Sequence, residues 1–385
     1  ADLIPASGLM HLARLKVDEA RQEVTASMLW SRERRARALH GLGCVLDPTP
    51  ALEASAGRFA AAAPGRQGTR VTGPDAGAPW PATDWSGIDR DAVAAAVDDQ
   101  FRDDGDAAGR NTRALLVLHR GRLVAERYGP GFDAATRQLG WSMTKTVLGM
   151  LIVARLAEQG QPLTLPAVDW VDPARRPRWL DRWRSDARAR ITLGDLLYMR
   201  DGLAHEEGYA PWGAVPRMLW GETDVGAFVG SAPAEAAAGS RWRYLSATTN
   251  LLSALLRAQF ADDPGYWQYP RTALLDRIGA DSLIIEPDAT GTFIASSYGW
   301  ATPRDFARLG QLILQRGVGS DGRRVLPEAW WTIATEPPAL PAGTSQPEAQ
   351  AYGAQLWLAG SPGATACAAG GSLAPADPAA PALPP

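Results

Sequence analysis

Gln138-Leu-Gly-Trp-Ser-Met-Thr-Lys-Thr-Val-Leu-Gly-Met-Leu-Ile-Val-Ala-Arg-Leu-Ala-Glu-Gln-Gly160 is the stretch whose reading decides the fold. It opens polar and tight, then runs almost unbroken in apolar residues. Gly160 suits a left-handed stop, and Pro162 cannot continue the ladder. An apolar face this wide predicts a buried helix. Ser142 and Lys145 stand at its start, three apart and on one face. A cation at the positive end of a buried helix works against helix stability, so another demand keeps Lys145 there. Of 39 lysines and arginines only Lys16 and Lys145 are lysine. Arg does not deprotonate in proteins, whereas a buried Lys is pushed towards neutrality and can act as a base.

Composition narrows the classes. At 385 residues the chain is long enough for one large domain or two ordinary ones. Apolar content of 46% and charged content of 21% describe a globular protein, and a net charge of −3 argues against a nucleic-acid surface. Cys44 and Cys367 are too few and too isolated for a disulfide framework or a cysteine zinc site. His11, His40, His119 and His205 show no ligand spacing, and no cofactor is expected. No apolar run of about 18 residues predicts a membrane span. The chain starts at Ala1 rather than Met, which fits a preceding segment that was removed or not sequenced.

Working outward, residues 1–46 read as a small N-terminal unit. Leu12–Asp18 and Glu23–Trp30 alternate as strands, and Gly41–Leu46 reads as a glycine-punctuated turn. Residues 47–87 are rich in Pro and Ala and read as an extended linker. Residues 88–358 form the main domain. Ile88–Phe101 is an amphipathic helix, and Ala114–Tyr128 is a hairpin around Arg120-Gly121. Thr192 caps a short helix, with Asp195 in a capping-box position. Ser246–Arg257 and Thr302–Gly317 are further helices, the latter with Pro303 in its first turn. Tyr352–Leu358 reads as a strand. Residues 359–385 are nearly all Ala, Pro, Gly, Ser and Thr and read as a disordered low-complexity tail. Most of the 15 tryptophans sit beside prolines and helices, as at Trp170, Trp179 and Trp183, where packing accounts for them better than a carbohydrate platform does.

A nucleophilic serine needs a base in reach and donors for an oxyanion. Ser142 has Lys145 one turn away, and its own N–H at a helix start is free to be one donor. A tyrosine held near the ammonium can move the proton to the leaving atom, and Tyr244, just before the Ser246 helix, is the best candidate.

Trp141-Ser142-Met-Thr-Lys145 followed by Tyr244-Leu-Ser246 resembles the serine hydrolases of the β-lactamase and penicillin-binding-protein superfamily. The branch holding class C β-lactamases, esterases and 6-aminohexanoate-dimer hydrolases is most similar. Ile191–Leu197, the Glu207-Gly-Tyr209 loop, Ser296–Gly310 and Asp321–Pro327 also look familial, so the resemblance covers about residues 86 to 358. It implies an α+β fold, a β-lactamase/transpeptidase-like antiparallel sheet flanked by helices with an inserted helical region. It implies that Ser142 is acylated, that Lys145 is the base and Tyr244 the proton shuttle, and that Tyr209 and Ser246 bind substrate. The substrate would be a small-molecule amide or ester. Because the superfamily is usually exported, the resemblance also implies a periplasmic or membrane-associated protein.

Two departures stand out. The Thr-Ser-Gly usual before the Glu207 loop is Arg200-Asp201-Gly202 here. The superfamily's third element, a Lys/His-x-Gly on an inner strand, should follow Leu358. No Lys or His follows His205, and Gly370-Gly371 lies in the tail. The C-terminal strands are thus expected to be missing, with the native reading frame ending near Leu358–Ala359. An Ala/Pro/Gly-rich run is what an off-frame GC-rich gene encodes, and resequencing that returned the same tail would overturn this. A Ser-His-Asp hydrolase is disfavoured, because Gly140-Trp-Ser142-Met-Thr144 misses the second Gly of its elbow and no His follows late in the chain. The remaining alternative is a non-catalytic penicillin-binding-like sensor or inactive scaffold.

Overall fold

The computed structural model describes residues 13–28, 33–62, 87–102, 110–342, 346 and 349–358. Residues 359–385, where the sequence reading places a tail, lie outside the described residues.

The N-terminal unit is a four-stranded antiparallel meander: β1 (Ala13–Asp18), β2 (Glu23–Met28), β3 (Arg34–Leu39) and β4 (Gly43–Leu46). The last two strands were not expected; Gly41–Leu46 read as a turn. Gly41 and Gly43 have φ of 73° and 80°, so the chain turns there and then continues as a strand. Arg34–Leu39 hides its strand character by alternating Arg with Ala, and its ions are held by Glu23, Asp47 and Glu53.

The expected linker also begins as structure. Pro50–Ala62 is a helix, α1. Proline is tolerated at a helix start, and alanine, which reads as featureless, is the best helix former. Leu52 and Ala56 are buried, and Phe59 packs edge-on against Trp267 with centroids 5.6 Å apart.

The main domain opens with α2 (Arg90–Gln100), capped by the Asp89 side chain. The hairpin β5 (Ala114–His119) and β6 (Arg122–Tyr128) follows. Arg120 and Gly121 both have positive φ, as a two-residue turn matching the strand twist requires. Among the described residues this sheet has two strands. A second sheet runs in the order β7 (Gln138–Leu139), β9 (Gly299–Ala301), β8 (Ile284–Ile285), all antiparallel.

Helix α3 (Met143–Glu158) is the axis of the core. Leu148, Met150, Leu151 and Ile152 are each at most 1% exposed. It ends as expected, with Gly160 at φ 64° and the Gln161 N–H reaching back to the Leu156 carbonyl at 2.9 Å. The inserted helical region holds α4 (Ala167–Trp170), α5 (Arg178–Trp183), α6 (Leu193–Leu197), α7 (Ala214–Pro216) and α8 (Val225–Gly230). Thr192 and Asp195 form the full capping box of α6, and Trp170, Trp179 and Trp183 are buried packing residues. Then come α9 (Ser246–Arg257), α10 (Asp263–Pro270), α11 (Asp276–Ile278), α12 (Pro303–Leu314) and α13 (Trp330–Thr335). Helix α12 lies against β5, and Arg304 donates two bonds of 2.8 Å to Glu126 on β6.

Tyr352–Leu358 is not a strand. The chain doubles back so that Tyr352 and Trp357 form an isolated bridge, and the Gly353 N–H donates to the Leu356 carbonyl at 2.7 Å. Gln355, at φ 61°, holds the turn down. Its amide donates to the Leu197 carbonyl at 3.0 Å and accepts from Thr249 Oγ1 at 2.7 Å, while its carbonyl accepts from Thr146 Oγ1 at 2.8 Å. One buried glutamine thus ties this turn to α3, α6 and α9.

Candidate active site

The start of α3 is held by β7 and β9. The Gly140 N–H donates to the Gly299 carbonyl at 2.7 Å, and the Gly299 N–H donates to Thr144 Oγ1 at 2.9 Å. Trp141 takes φ 43°, a strained value for a bulky residue, and turns the chain sharply into the helix. Ser142 stands at the N-cap position in a helical conformation and makes no side-chain capping bond, which leaves its hydroxyl for other partners. Ser142 and its neighbours Trp141 and Met143 are exposed, whereas Lys145 is 1% exposed.

Lys145 Nζ has three partners: Ser142 Oγ at 3.3 Å, Ser246 Oγ at 3.1 Å and the Ser296 carbonyl at 2.8 Å. Burial lowers its pKa to about 8, against an opposing pull from the Glu207 carboxylate. Ser296 is itself held, since its N–H donates to Asn250 Oδ1 at 3.0 Å on α9.

Tyr244 arrives on the segment before α9, which is pinned by the Arg243 N–H donating to the Met199 carbonyl at 3.0 Å. Its ring centroid lies 5.1 Å from Lys145 Nζ. Burial raises its pKa, and the neighbouring Ser142 hydroxyl and Trp357 indole work the other way. The phenol is thereby kept protonated near neutral pH. Its ring also packs against Tyr352 and Trp357, with centroids 5.6 and 5.3 Å away.

Ser246 opens α9 and is only 2% exposed. Its N–H donates to Glu207 Oε2 at 2.7 Å, and its hydroxyl donates to Glu207 Oε1 at 2.6 Å. A carboxylate at a helix N-terminus is favourably placed against the helix dipole. The sequence reading set Ser246 among substrate-binding residues; the structure buries its hydroxyl between Lys145 and Glu207. Tyr209 donates to the same Glu207 Oε1 at 2.7 Å and is 65% exposed at the rim. Partial burial, followed by the Glu207 bond, pushes its pKa up to about 12.

All five residues singled out from the sequence therefore meet in one place. Glu207 is the group whose part was not foreseen. Glu-x-Tyr marked its loop, but nothing in the residue order says that the loop caps α9. Asp195 does its capping work only. Asp201 is buried and accepts from the Leu203 N–H at 2.7 Å and from Thr248 Oγ1, so it serves the loop backbone. Among the described residues no group of three or more His, Cys, Asp or Glu could hold a metal ion, and no helix is long and apolar enough to cross a membrane.

The family described as Beta-lactamase matches residues 97–382, a span that runs past Leu358, where the sequence reading ended the resemblance. A putative 6-aminohexanoate-dimer hydrolase from Bacillus anthracis superposes with a TM-score of 0.52 at 22% identity over 68% of this chain. The match spans 66% of that protein, just under two thirds of its length. A putative β-lactamase from Bacteroides dorei gives a TM-score of 0.50 at 17% identity, over 71% of this chain and 79% of that one. At these identities the likeness is one of fold.

Proposed function

The chain belongs to the β-lactamase family, and from that premise we propose that it is a serine hydrolase that opens an amide or ester through an acyl-enzyme on Ser142. The observation that carries this is the bonding of Lys145. The Ser246 hydroxyl commits its proton to Glu207, so towards Lys145 its oxygen only accepts; the Ser296 carbonyl also only accepts. The bond to Ser142 is the one that can reverse. When Lys145 is neutral, two N–H groups serve the fixed acceptors and its lone pair faces the Ser142 proton.

The steps follow in balance. Lys145 Nζ takes the Ser142 proton as Oγ bonds to the acyl carbon. The oxygen that becomes negative turns to the Ser142 N–H at the start of α3. The Tyr244 phenol donates its proton to the leaving oxygen or nitrogen as the acyl bond breaks, and the Lys145 ammonium beside its ring supplies the replacement. Water then repeats the sequence, with Lys145 taking its proton and Ser142 leaving. Tyr209 closes the open side of the site. Within the family, the Glu207–Tyr209 loop and Tyr244-Leu-Ser246 favour the branch of class C enzymes, esterases and 6-aminohexanoate-dimer hydrolases.

The test is labelling by a fluorophosphonate, read by mass spectrometry of peptides. Adduct on Ser142, lost in Lys145→Ala while the circular dichroism spectrum is kept, is the expected result. A folded wild-type chain that takes no label would instead favour the sensor or scaffold reading.

A further inference from the structure

We propose that this cleft selects uncharged substrates with an apolar acyl group and turns away those carrying a carboxylate near the scissile bond, and that Glu207 sets the preference. The inference rests on the acyl-enzyme reading above and adds the substrate class.

The charges in the site are few. Among the described residues, Glu207 is the carboxylate whose charge bears on both Lys145 and Tyr244. Glu207 is held by neutral donors alone: the Ser246 N–H, the Ser246 hydroxyl and the Tyr209 hydroxyl. Among the described residues it enters no ion pair, so its charge is bound but not cancelled. Acylation needs Lys145 neutral. In that state the Glu207 carboxylate remains beside the nucleophile with no Lys145 charge to offset it.

The large exposed side chains beside the site are uncharged. Trp141, Met143, Tyr209 and Trp357 are 51%, 54%, 65% and 46% exposed, an apolar and aromatic border around Ser142. The turn carrying Trp357, Tyr352 to Leu358, holds no Lys, Arg or His. A substrate carboxylate would meet a like charge between low-dielectric walls, an arrangement that discriminates by repulsion. An alkyl or aryl acyl group would instead cover Trp141 and Met143 and gain their burial.

Three p-nitrophenyl esters of matched length test this, their acyl chains ending in methyl, ammonium or carboxylate. In the wild type, kcat/KM for the methyl ester should exceed that for the carboxylate ester by about tenfold or more, and the ammonium ester should not share the penalty. In Glu207→Gln the methyl-to-carboxylate ratio should fall towards one. A carboxylate ester turned over as well as the methyl ester overturns the inference. Equal rejection of ammonium and carboxylate overturns the part given to Glu207. Fluorophosphonate labelling of Ser142 is run on the same preparations. Label with no charge preference sinks this inference alone, while absence of label sinks it together with the acyl-enzyme reading.

Discussion

The indole of Trp357 lies 5.3 Å from the ring of Tyr244, tilted by 33°, and its presence opposes the rise that burial gives the Tyr244 pKa. An indole is a donor that carries no charge. If Tyr244 gives up its proton as proposed, Trp357 would favour the phenolate without adding a cation to the cleft. Trp357→Phe keeps an aromatic ring, though a smaller one, and removes the N–H. Deacylation and acylation of a neutral ester should slow by about three- to thirtyfold, in the range of a single hydrogen bond to a charged group. Stopped-flow release of p-nitrophenol gives both rates, and wild-type rates in this variant would show that the N–H plays no part.

The pH profile should be set by Lys145. Its pKa is lowered to about 8 by burial, and in the proposed mechanism the active form is the neutral amine. Hence kcat/KM should rise about tenfold per pH unit below that value and level off above it. Glu207 holds the lysine pKa up, so Glu207→Gln should move the rising limb to lower pH. A limb that stayed in place, or moved up, would mean that a different group limits the reaction.

Ser246→Ala removes the acceptor that fixes one Lys145 N–H and the hydroxyl bonded to Glu207. The carboxylate keeps the backbone N–H and the Tyr209 hydroxyl, and α9 keeps its start. The fluorophosphonate labelling rate should fall about ten- to hundredfold, with a stability loss of about 1–3 kcal/mol. Ser246→Thr restores a hydroxyl and should recover most of the rate. If Ala labels as fast as Ser, the bond between Lys145 and Ser246 is structural only.

Several of these relationships were legible in residue order because they are local. Ser142 and Lys145 share one helical turn, Gly160 ends that helix, Arg120-Gly121 closes the hairpin and Thr192 caps with Asp195; each depends on residues at most a few positions apart. Tyr244 could be placed because it precedes a helix whose start was readable. Long-range partners were not legible. Glu207 meets Ser246 across 39 positions, and Gln355 meets Thr249 across 106. That second contact is what turns Tyr352–Leu358 from an apparent strand into a turn. Helix α1 was missed for a different reason: a run of Ala beside Pro carries helix propensity but no apolar period, so only its burial against Trp267 reveals it.

The same turn carries a group with no partner. Tyr352 is 1% exposed, and its hydroxyl makes no hydrogen bond among the described residues. Its ring is held by Trp242, Tyr244 and Trp357, with centroids 5.9, 5.6 and 4.9 Å away. Burying a hydroxyl without a partner costs about 1–3 kcal/mol, and replacing it by hydrogen leaves the packing intact. Tyr352→Phe should therefore unfold at a temperature equal to or a few degrees above the wild type. Fluorophosphonate labelling should stay within about twofold, because the hydroxyl touches neither Ser142 nor Lys145. Gly353→Ala, one residue on, is the contrast: an added Cβ would fall 1.7 Å from the Ala334 carbonyl oxygen. It should lower the unfolding temperature and slow labelling together, since the displaced turn carries Trp357 away from Tyr244. Calorimetry and labelling on the two variants separate the cases, and a Tyr352→Phe chain that was destabilised, or lost its label, would mean that the hydroxyl has a partner or a task that its burial hides.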